Sequence, residues 1–307
     1  MRVLAHIHTL NDADIINRTI AAVLQQTRAV DGILVVDNAS ADNTLEQPSI
    51  RQAAVLRHAH NQGTSGAVHS GFRYALDHDY DWIWVFDADS IPEPDALEKL
   101  LDLYAGWPQS LQDETAFLAC LYYNVEDGVP HHGGLFTRSG MAPSNPVPDE
   151  RHYPCHFTIW SGCLYRLAAV RQIGLPNPDY MLDWGEGEYG YRVMKAGYKG
   201  FIHQDSILHH NIRGRTSYTP VEIKLGPAKF TMYEFPPIRC YYSRRNMIYF
   251  ALYEFTEQKF KFFRSIALDT FKFPFRFLLR PRGHGKHLLA CFRGIWHGVT
   301  GNIGARY

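Results

Sequence analysis

Short apolar runs alternate with amphipathic stretches through the first hundred positions of this 307-residue chain. RVLAHIHTL near the amino terminus reads as a strand, GILVVDNAS (32–40) as a buried strand ending in polar residues, and AVLRHAH (54–60) and DWIWVFDAD (81–89) as two more. Between them, ADIINRTIAAVLQQ sets apolar residues every three or four positions, as an amphipathic helix does, and GAVHSGFRYALDH reads as a second helix. Asp42, Asn43 and Thr44 look like a turn into a short helix. Strands and helices alternating at this spacing call for an α/β fold, a mostly parallel, Rossmann-like sheet flanked by helices. Ligands of such sheets sit at the carboxyl ends of the strands. Here those ends carry Thr9 and Asn11, Asp37 and Asn38, Asn61, and Asp87 and Asp89.

The pattern weakens in the middle. Residues 120–160, rich in Gly, Pro and His, read as a long irregular loop of the kind that forms lids or binding loops. FTIWSGCLYRLAAVRQIG then predicts a strand and a helix, EGEYGYRVMKAGYKG a helix, and FIHQDSILHH a final strand pair. No internal repeat is present. Near residue 258 the composition changes: residues 259–307 hold ten Lys and Arg against one acid, Asp269, and seven phenylalanines lie between Phe260 and Phe277. The expected organisation is therefore a main domain over 1–250 and a helical, basic and aromatic extension over 251–307.

Composition adds boundaries to that picture. Hydrophobic residues make up 46% and charged residues 20%, which suits a chain that buries a core. Lys plus Arg and Asp plus Glu balance at 31 each, so the total points to no nucleic-acid partner, although it conceals the basic tail. Five scattered cysteines without a C-x-x-C pair suggest reduced thiols in a cytosolic setting. The amino terminus lacks a long apolar segment and no run approaches a membrane span, so a soluble or peripheral protein is expected.

The sharpest chemistry is WIWVFDADSIPEPDAL (82–97), a strand delivering Asp87 and Asp89 one residue apart. Two such carboxylates can clasp a divalent cation that prefers oxygen ligands, provided the chain bends, because successive strand side chains point to opposite faces. Pro92 and Pro94 mark such a break. Standing alone, the pair could equally end a strand and cap the next helix. Asp37 ends a neighbouring strand, and HNQGTSGAVHSGF (60–72) has Gly63, Gly66 and Gly71 opening a helix, where backbone N–H groups can meet a diphosphate. That segment is neither G-x-G-x-x-G nor a P-loop.

VVDNASADNT, NQGTSGAVHSG, FDADSIPE, WSGCLYR and LDWGEGEYGYRVMKAGYKG, in this order and spacing, resemble a family 2 glycosyltransferase of the GT-A fold over about residues 1–250. RCYYSRRN (239–246) adds a likeness to the rhamnosyltransferase and galactofuranosyltransferase branch. The resemblance implies an inverting transfer from a UDP- or dTDP-sugar. Asp37 would meet the base, with Thr9, Asn11, Asn61 and Gly63 in the same donor pocket. Asp87 and Asp89 would hold Mn²⁺ or Mg²⁺ against the diphosphate, joined by a histidine after the acidic motif, His210 ahead of His209. The base would lie in DWGEGEY. Glu186 matches it, although the branch often has Asp there; Asp183 is second, and Glu188 would bind acceptor or orient the loop. Without the resemblance, these acids would simply favour a helix N-terminus. Trp160, Ser161 and Gly162 would wall the sugar and acceptor. Arg239, Arg245 and Asn246 would meet a diphosphate or phosphorylated acceptor, or equally form an ion-pair network on a helix. His6, His8, His131 and His132 read as structural or loop residues.

Phenylalanine and positive charge mixed over 259–297 suit an anionic membrane surface, with Pro274 kinking any helix; packing of the rings onto the catalytic domain is the competing reading. A membrane contact would make a lipid-linked glycan the natural acceptor, in bacterial cell-surface polysaccharide assembly on the cytosolic face of the inner membrane. Two rivals stand beside the transferase. A sugar-phosphate nucleotidyltransferase needs a Gly-rich basic signature after the first strand, which HTLNDADIINR lacks. An inactive, membrane-associated scaffold of the same fold is the other.

Overall fold

Strand β1 (Val3–Thr9) is buried along its whole length, and the sheet is built outward from it. It pairs in parallel with β2 (Gly32–Asp37) and with β4 (Trp82–Asp87), while β2 carries β3 (Ala54–Arg57) at the edge. A computed structural model describes all residues except 126–127, 139, 211–218, 226–227, 265, 268–284 and 305, and gives backbone alone for 219–225 and 228–234. The chain forms two compact units: Met1–Phe136, Met141–Pro178 and Gly185–Gly214 make the first, and Thr137–Gly140, Asp179–Trp184 and Arg215–Tyr307 the second.

The first unit holds one mixed sheet. Beyond β4 its order continues through β11 (Cys163–Arg166), β6 (Thr115–Asn124), β12 (Lys199–His210) and β10 (His152–Pro154). Strand β11 runs antiparallel to both neighbours, whereas β12 runs parallel to β6. Two-residue strands β5 (Ile91–Pro92) and β7 (Pro130–His131) pair with β12 and β6, and β8 (Gly134–Thr137) with β9 (Gly140–Pro143) forms a separate ribbon. The stretch expected as an irregular loop thus contains strands from β6 to β10. The expected strand pair at 201–210 is instead the end of one long strand, β12, with a register shift between His203 and Ile207.

Period-two alternation sorts the core. Leu4, Leu34, Val36, Ile83 and Val85 face one side, with Val68 and Phe72 of α2 (Gly63–Asp77). Val3, Ala5, Ile7, Ile33, Val35, Trp82, Trp84 and Phe86 face the other. That second side meets Ile16 and Ile20 of α1 (Ile16–Leu24) and Leu97 and Leu100 of α3 (Ala96–Ala105). Helices α4 (Gln109–Glu114), α5 (Leu167–Ile173) and α6 (Gly185–Lys195) complete this unit.

In the second unit, β13 (Thr219–Leu225) and β14 (Ala228–Glu234) form a hairpin, and α7 (Pro237–Tyr249) packs on α8 (Gly285–Val299). The helices approach closely because α8 turns small residues inward: a Cβ on Gly294 would stand 2.4 Å from the Tyr241 carbonyl oxygen. All five cysteines are free and buried. Among the described residues, no helix is long and apolar enough to cross a membrane.

Candidate active site

Asp87 ends β4 on the face that carries Ile83 and Val85, and the parallel register sets it beside His8 of β1. The pair meets with His8 Nε2 2.6 Å from Asp87 Oδ1. Burial pushes the Asp87 carboxyl up, but the charge and hydrogen bond of His8, then His210 and Ser161, outweigh it and hold the group well below the ordinary carboxylate range. After Asp87 the chain turns, with Ala88 buried and its carbonyl accepting the Thr19 hydroxyl. This is the bend that two carboxylates one residue apart require. His210 Nδ1 then stands 3.9 Å from both Asp87 Oδ2 and Asp89 Oδ1.

A line of hydroxyls underpins the cluster. The Asp87 N–H donates to Ser161 Oγ (3.0 Å), Ser161 donates to Ser90 Oγ (2.8 Å), and Ser90 meets His210 Nδ1 at 2.7 Å. The chain of hydroxyls links the Asp87 backbone to the His210 ring, with Ser90 able to donate to Nδ1 or to accept from it. Ser161 is therefore buried beneath the aspartates. Gly162 beside it has φ of 82°, and a Cβ there would reach within 3.0 Å of Leu208. Trp160 packs inside the core against Phe72, Tyr165 and Tyr189. His209 turns elsewhere and pairs with Glu93 at 2.6 Å.

At the neighbouring strand ends, Asp37 is fully buried, accepts the Ser40 N–H and receives Arg57 Nε at 3.1 Å. Thr9 donates to Asp12, and Asn11, at φ of 58°, takes the Ala41 N–H on its side-chain oxygen. Asn61 accepts the Gly63 N–H, and Gly63, itself at φ of 72°, accepts Asn38 Nδ2 through its carbonyl. The ends of β1 and β2 and the start of α2 are thus tied into one rim.

Glu186 and Glu188 lie in the first turn of α6. Glu186 is half-buried, whereas Glu188 is buried and pairs with Arg192, which also donates to the carbonyls of Ile173 and Leu175. Burial pushes the Glu188 carboxyl up, with Arg192 opposing.

The second unit holds the remaining candidates. Arg239 clamps Asp183 with Nη2 2.7 Å and Nε 2.9 Å from Oδ1. Asn246 Nδ2 lies within 2.9 Å of three carbonyl oxygens, those of Tyr180, Leu182 and Asp183. Arg245 is fully buried, donates to the Asp179 carbonyl and lies over Tyr242. Its guanidinium is thus turned inward, away from any solvent-borne phosphate, and burial lowers its pKa.

The sequence marks His8 only as a structural residue and does not mark Ser90 or Arg57 at all. Only the β1–β4 register reveals His8, and Ser90 and Arg57 belong to no spacing that announces them. Asp87, Asp89 and His210 offer carboxylate oxygens and one imidazole in a single cluster, a donor set that suits Mg²⁺ or Mn²⁺. Their partners include one another, His8 and Ser90, and among the described residues no three His, Cys, Asp or Glu side chains already stand in ligating geometry.

The mixed, mostly parallel sheet flanked by helices is a GT-A-like α/β fold, and it brings carboxylates, an imidazole and a helix start to one edge. The chain belongs to glycosyl transferase family 2, whose family model matches residues 5–174. It is 34% identical over 110 residues to an undecaprenyl-phosphate mannosyltransferase of Micrococcus luteus, a match covering 33% of this chain and 44% of that protein, under half its length. It is 25% identical over 248 residues to the galactofuranosyltransferase GlfT1 of Mycolicibacterium smegmatis, covering 77% of this chain and 78% of the relative. Among solved structures, TarS 1–349 of S. aureus in complex with UDP-GlcNAc superposes with a TM-score of 0.57 at 16% identity, over 96% of this chain and 82% of that one. The mannosyltransferase PcManGT of Pyrobaculum calidifontis, in complex with GDP-Man and Mn²⁺, gives 0.56 at 14% identity, over 97% and 75%. At these identities the structural likeness speaks to the fold.

Proposed function

We propose that the chain is an inverting, metal-dependent glycosyltransferase that moves a sugar from a UDP- or dTDP-sugar to a hydroxyl of a glycan acceptor. The observation that carries this reading is the cluster of Asp87, Asp89 and His210 at the carboxyl edge of the sheet. Those three residues would hold Mn²⁺ or Mg²⁺, which supplies charge neutralisation for a departing diphosphate. The manganese and nucleotide sugar bound by PcManGT support a divalent ion here, and the UDP-GlcNAc of TarS supports a uridine donor.

Residues of this chain then divide the work. Asp37, Thr9, Asn11, Asn61 and Gly63 form the donor rim. To meet a base, Asp37 must exchange its contact with Arg57 for the ligand. Glu186 takes the proton of the acceptor hydroxyl as that oxygen bonds to the anomeric carbon. The bond from that carbon to the diphosphate oxygen breaks, the electron pair leaves with the nucleoside diphosphate, and in-line attack inverts the centre. Asp183 suits the base less well, because Arg239 occupies its carboxylate. Glu188 suits orienting the start of α6 better than touching an acceptor, and Ser161 and Gly162 support the metal-side wall. Arg245 suits an anchoring part.

A lipid-linked acceptor and a peripheral place on the cytosolic face of a bacterial inner membrane complete the proposal. The polyprenyl-phosphate named for the Micrococcus relative and the basic 259–297 segment support it. Residues 1–250 would serve catalysis and 251–307 the membrane; of the latter, 265, 268–284 and 305 lie outside the described residues.

Calorimetric titration of UDP and dTDP, with and without Mn²⁺, tests the core of this reading. Wild type is expected to bind one of them in a metal-dependent way, and Asp89→Ala to lose that dependence. Absence of binding by either nucleotide under any condition would sink the transferase reading and favour the scaffold.

A further inference from the structure

Helix α8 buries one side and leaves another bare. Ala290, Cys291, Gly294 and Gly298 face inward within the second unit. Leu289, Phe292, Trp296 and Val299 recur at three- and four-residue intervals, share a face, and are 69, 53, 66 and 42% exposed. Half-exposed Tyr253 prolongs the band, since its hydroxyl donates to the Val299 carbonyl at 2.6 Å. Along its border, Lys286 and Arg293 are exposed on the same helix, and Lys259 Nζ stands 5.9 Å over the Tyr253 ring.

A row of large apolar side chains that includes a tryptophan is unusual on a monomer surface and marks a contact. The choice of occupant follows from charge. A second copy docking through the same face would set one basic border against another, whereas anionic headgroups would neutralise it. The 15 described residues of the helix are too few to span a bilayer, yet they have the apolar stripe and cationic edge of a helix lying in the interface plane.

We propose that α8 is an interfacial membrane-binding helix, seated in an anionic bilayer surface with Leu289, Phe292 and Trp296 inserted and Lys286, Arg293 and Lys259 among the headgroups. This rests on the peripheral placement proposed above and names the surface responsible, and it does not depend on the transfer chemistry.

The test floats the full chain with phosphatidylcholine vesicles, with and without about 30 mol% phosphatidylglycerol. Wild type is expected to float with the anionic vesicles, and the Phe292→Ser/Trp296→Ser double variant to partition about tenfold less. Lys286→Gln/Arg293→Gln is expected to bind more weakly and with a shallower salt dependence. A wild-type melting temperature and nucleotide titration for each variant would show that its fold and donor site are intact. Brominated lipids supply an independent reading: they should quench wild-type tryptophan fluorescence, and Trp296→Phe should still float with most of that quenching gone. Wild type left at the bottom with both vesicle types, a double variant that floats as well as wild type, or quenching unchanged in Trp296→Phe would each overturn the proposal. So would a wild-type dimer in light scattering that the double variant turns into a monomer, because the face would then belong to a second copy. Failure of flotation with nucleotide binding intact would remove the membrane surface and leave the transferase standing.

Discussion

His8 and Asp87 are cross-strand neighbours, and their 2.6 Å contact fixes one carboxylate oxygen while the other faces His210. A carboxylate held in this way is preoriented, so loss of the donor should be felt in turnover before it is felt in folding. On the proposed metal-holding role of Asp87, His8→Leu is expected to lower kcat between about 10- and 100-fold, the range for residues that orient a ligating group, with His8→Gln recovering part of it. Equal kcat for both variants would refute the positioning role, and an Mn²⁺ titration followed by electron paramagnetic resonance reads the effect without turnover. Asp87 and Asp89 are legible in the chain because two acids closing an apolar strand contradict its pattern. His8 is not, because a histidine within a strand looks the same whether its neighbour is a leucine or a carboxylate. Arg57 is hidden for the same reason, being a charged edge residue until the fold sets it on Asp37.

The proposed choice among the three acids of DWGEGEY rests on the elements that carry them. Helix α6 begins with Glu186 half-buried and Glu188 spent on Arg192, while Asp183 belongs to a loop pinned by α7. Glu186→Gln is expected to cut kcat by about 10²–10⁴ with nucleotide affinity unchanged, the usual cost of removing a general base. Asp183→Asn should act on the melting temperature instead; an equally large loss of kcat there would move the base to Asp183. In that loop Met181, Asp183 and Trp184 all have positive φ, a conformation that non-glycine residues hold only when their surroundings impose it. Asn246 imposes it through three carbonyls, so Asn246→Ala is expected to cost about 1–3 kcal/mol in urea unfolding. RCYYSRRN is thus readable as a motif in the chain, but its work of holding a backbone loop is not, since the carbonyls it serves lie more than 60 positions away. Strand β6 escaped for a different reason. TAFLACLYYN is apolar on both faces because the sheet is covered on both sides, and an unbroken apolar run carries no period to separate strand from helix.

For the whole molecule, the alternation of elements along the first hundred residues was enough to expect a parallel sheet, and the antiparallel β11 and the second unit were not foreseeable from it. Stability of the whole should fall with acid. Burial lowers the His203 pKa to about 4, and its Nδ1 accepts the Asp205 N–H, a bond that only the neutral ring can make. The unfolded chain binds that proton near the ordinary value of 6.5, so between 6.5 and 4 it holds more protons than the folded one and stability declines as pH falls. The decline is complete below about 4 and amounts to on the order of 3 kcal/mol. His6 and His58, lowered chiefly by burial, act in the same direction. Urea midpoints at pH 7 and 4.5 measure the slope, and His203→Asn should flatten it; an unaltered slope would assign the acid sensitivity elsewhere. The buried thiols have a consequence of another kind. Cys120, Cys155 and Cys163 lie in the first unit and Cys240 and Cys291 in the second, and burial pushes the Cys120 and Cys155 thiols up to about 12. A thiol reagent can therefore modify the native protein only when a unit opens. Each unit carries its own covalent clock, and mass spectrometry of the tagged peptides would time their openings separately in a single untouched sample.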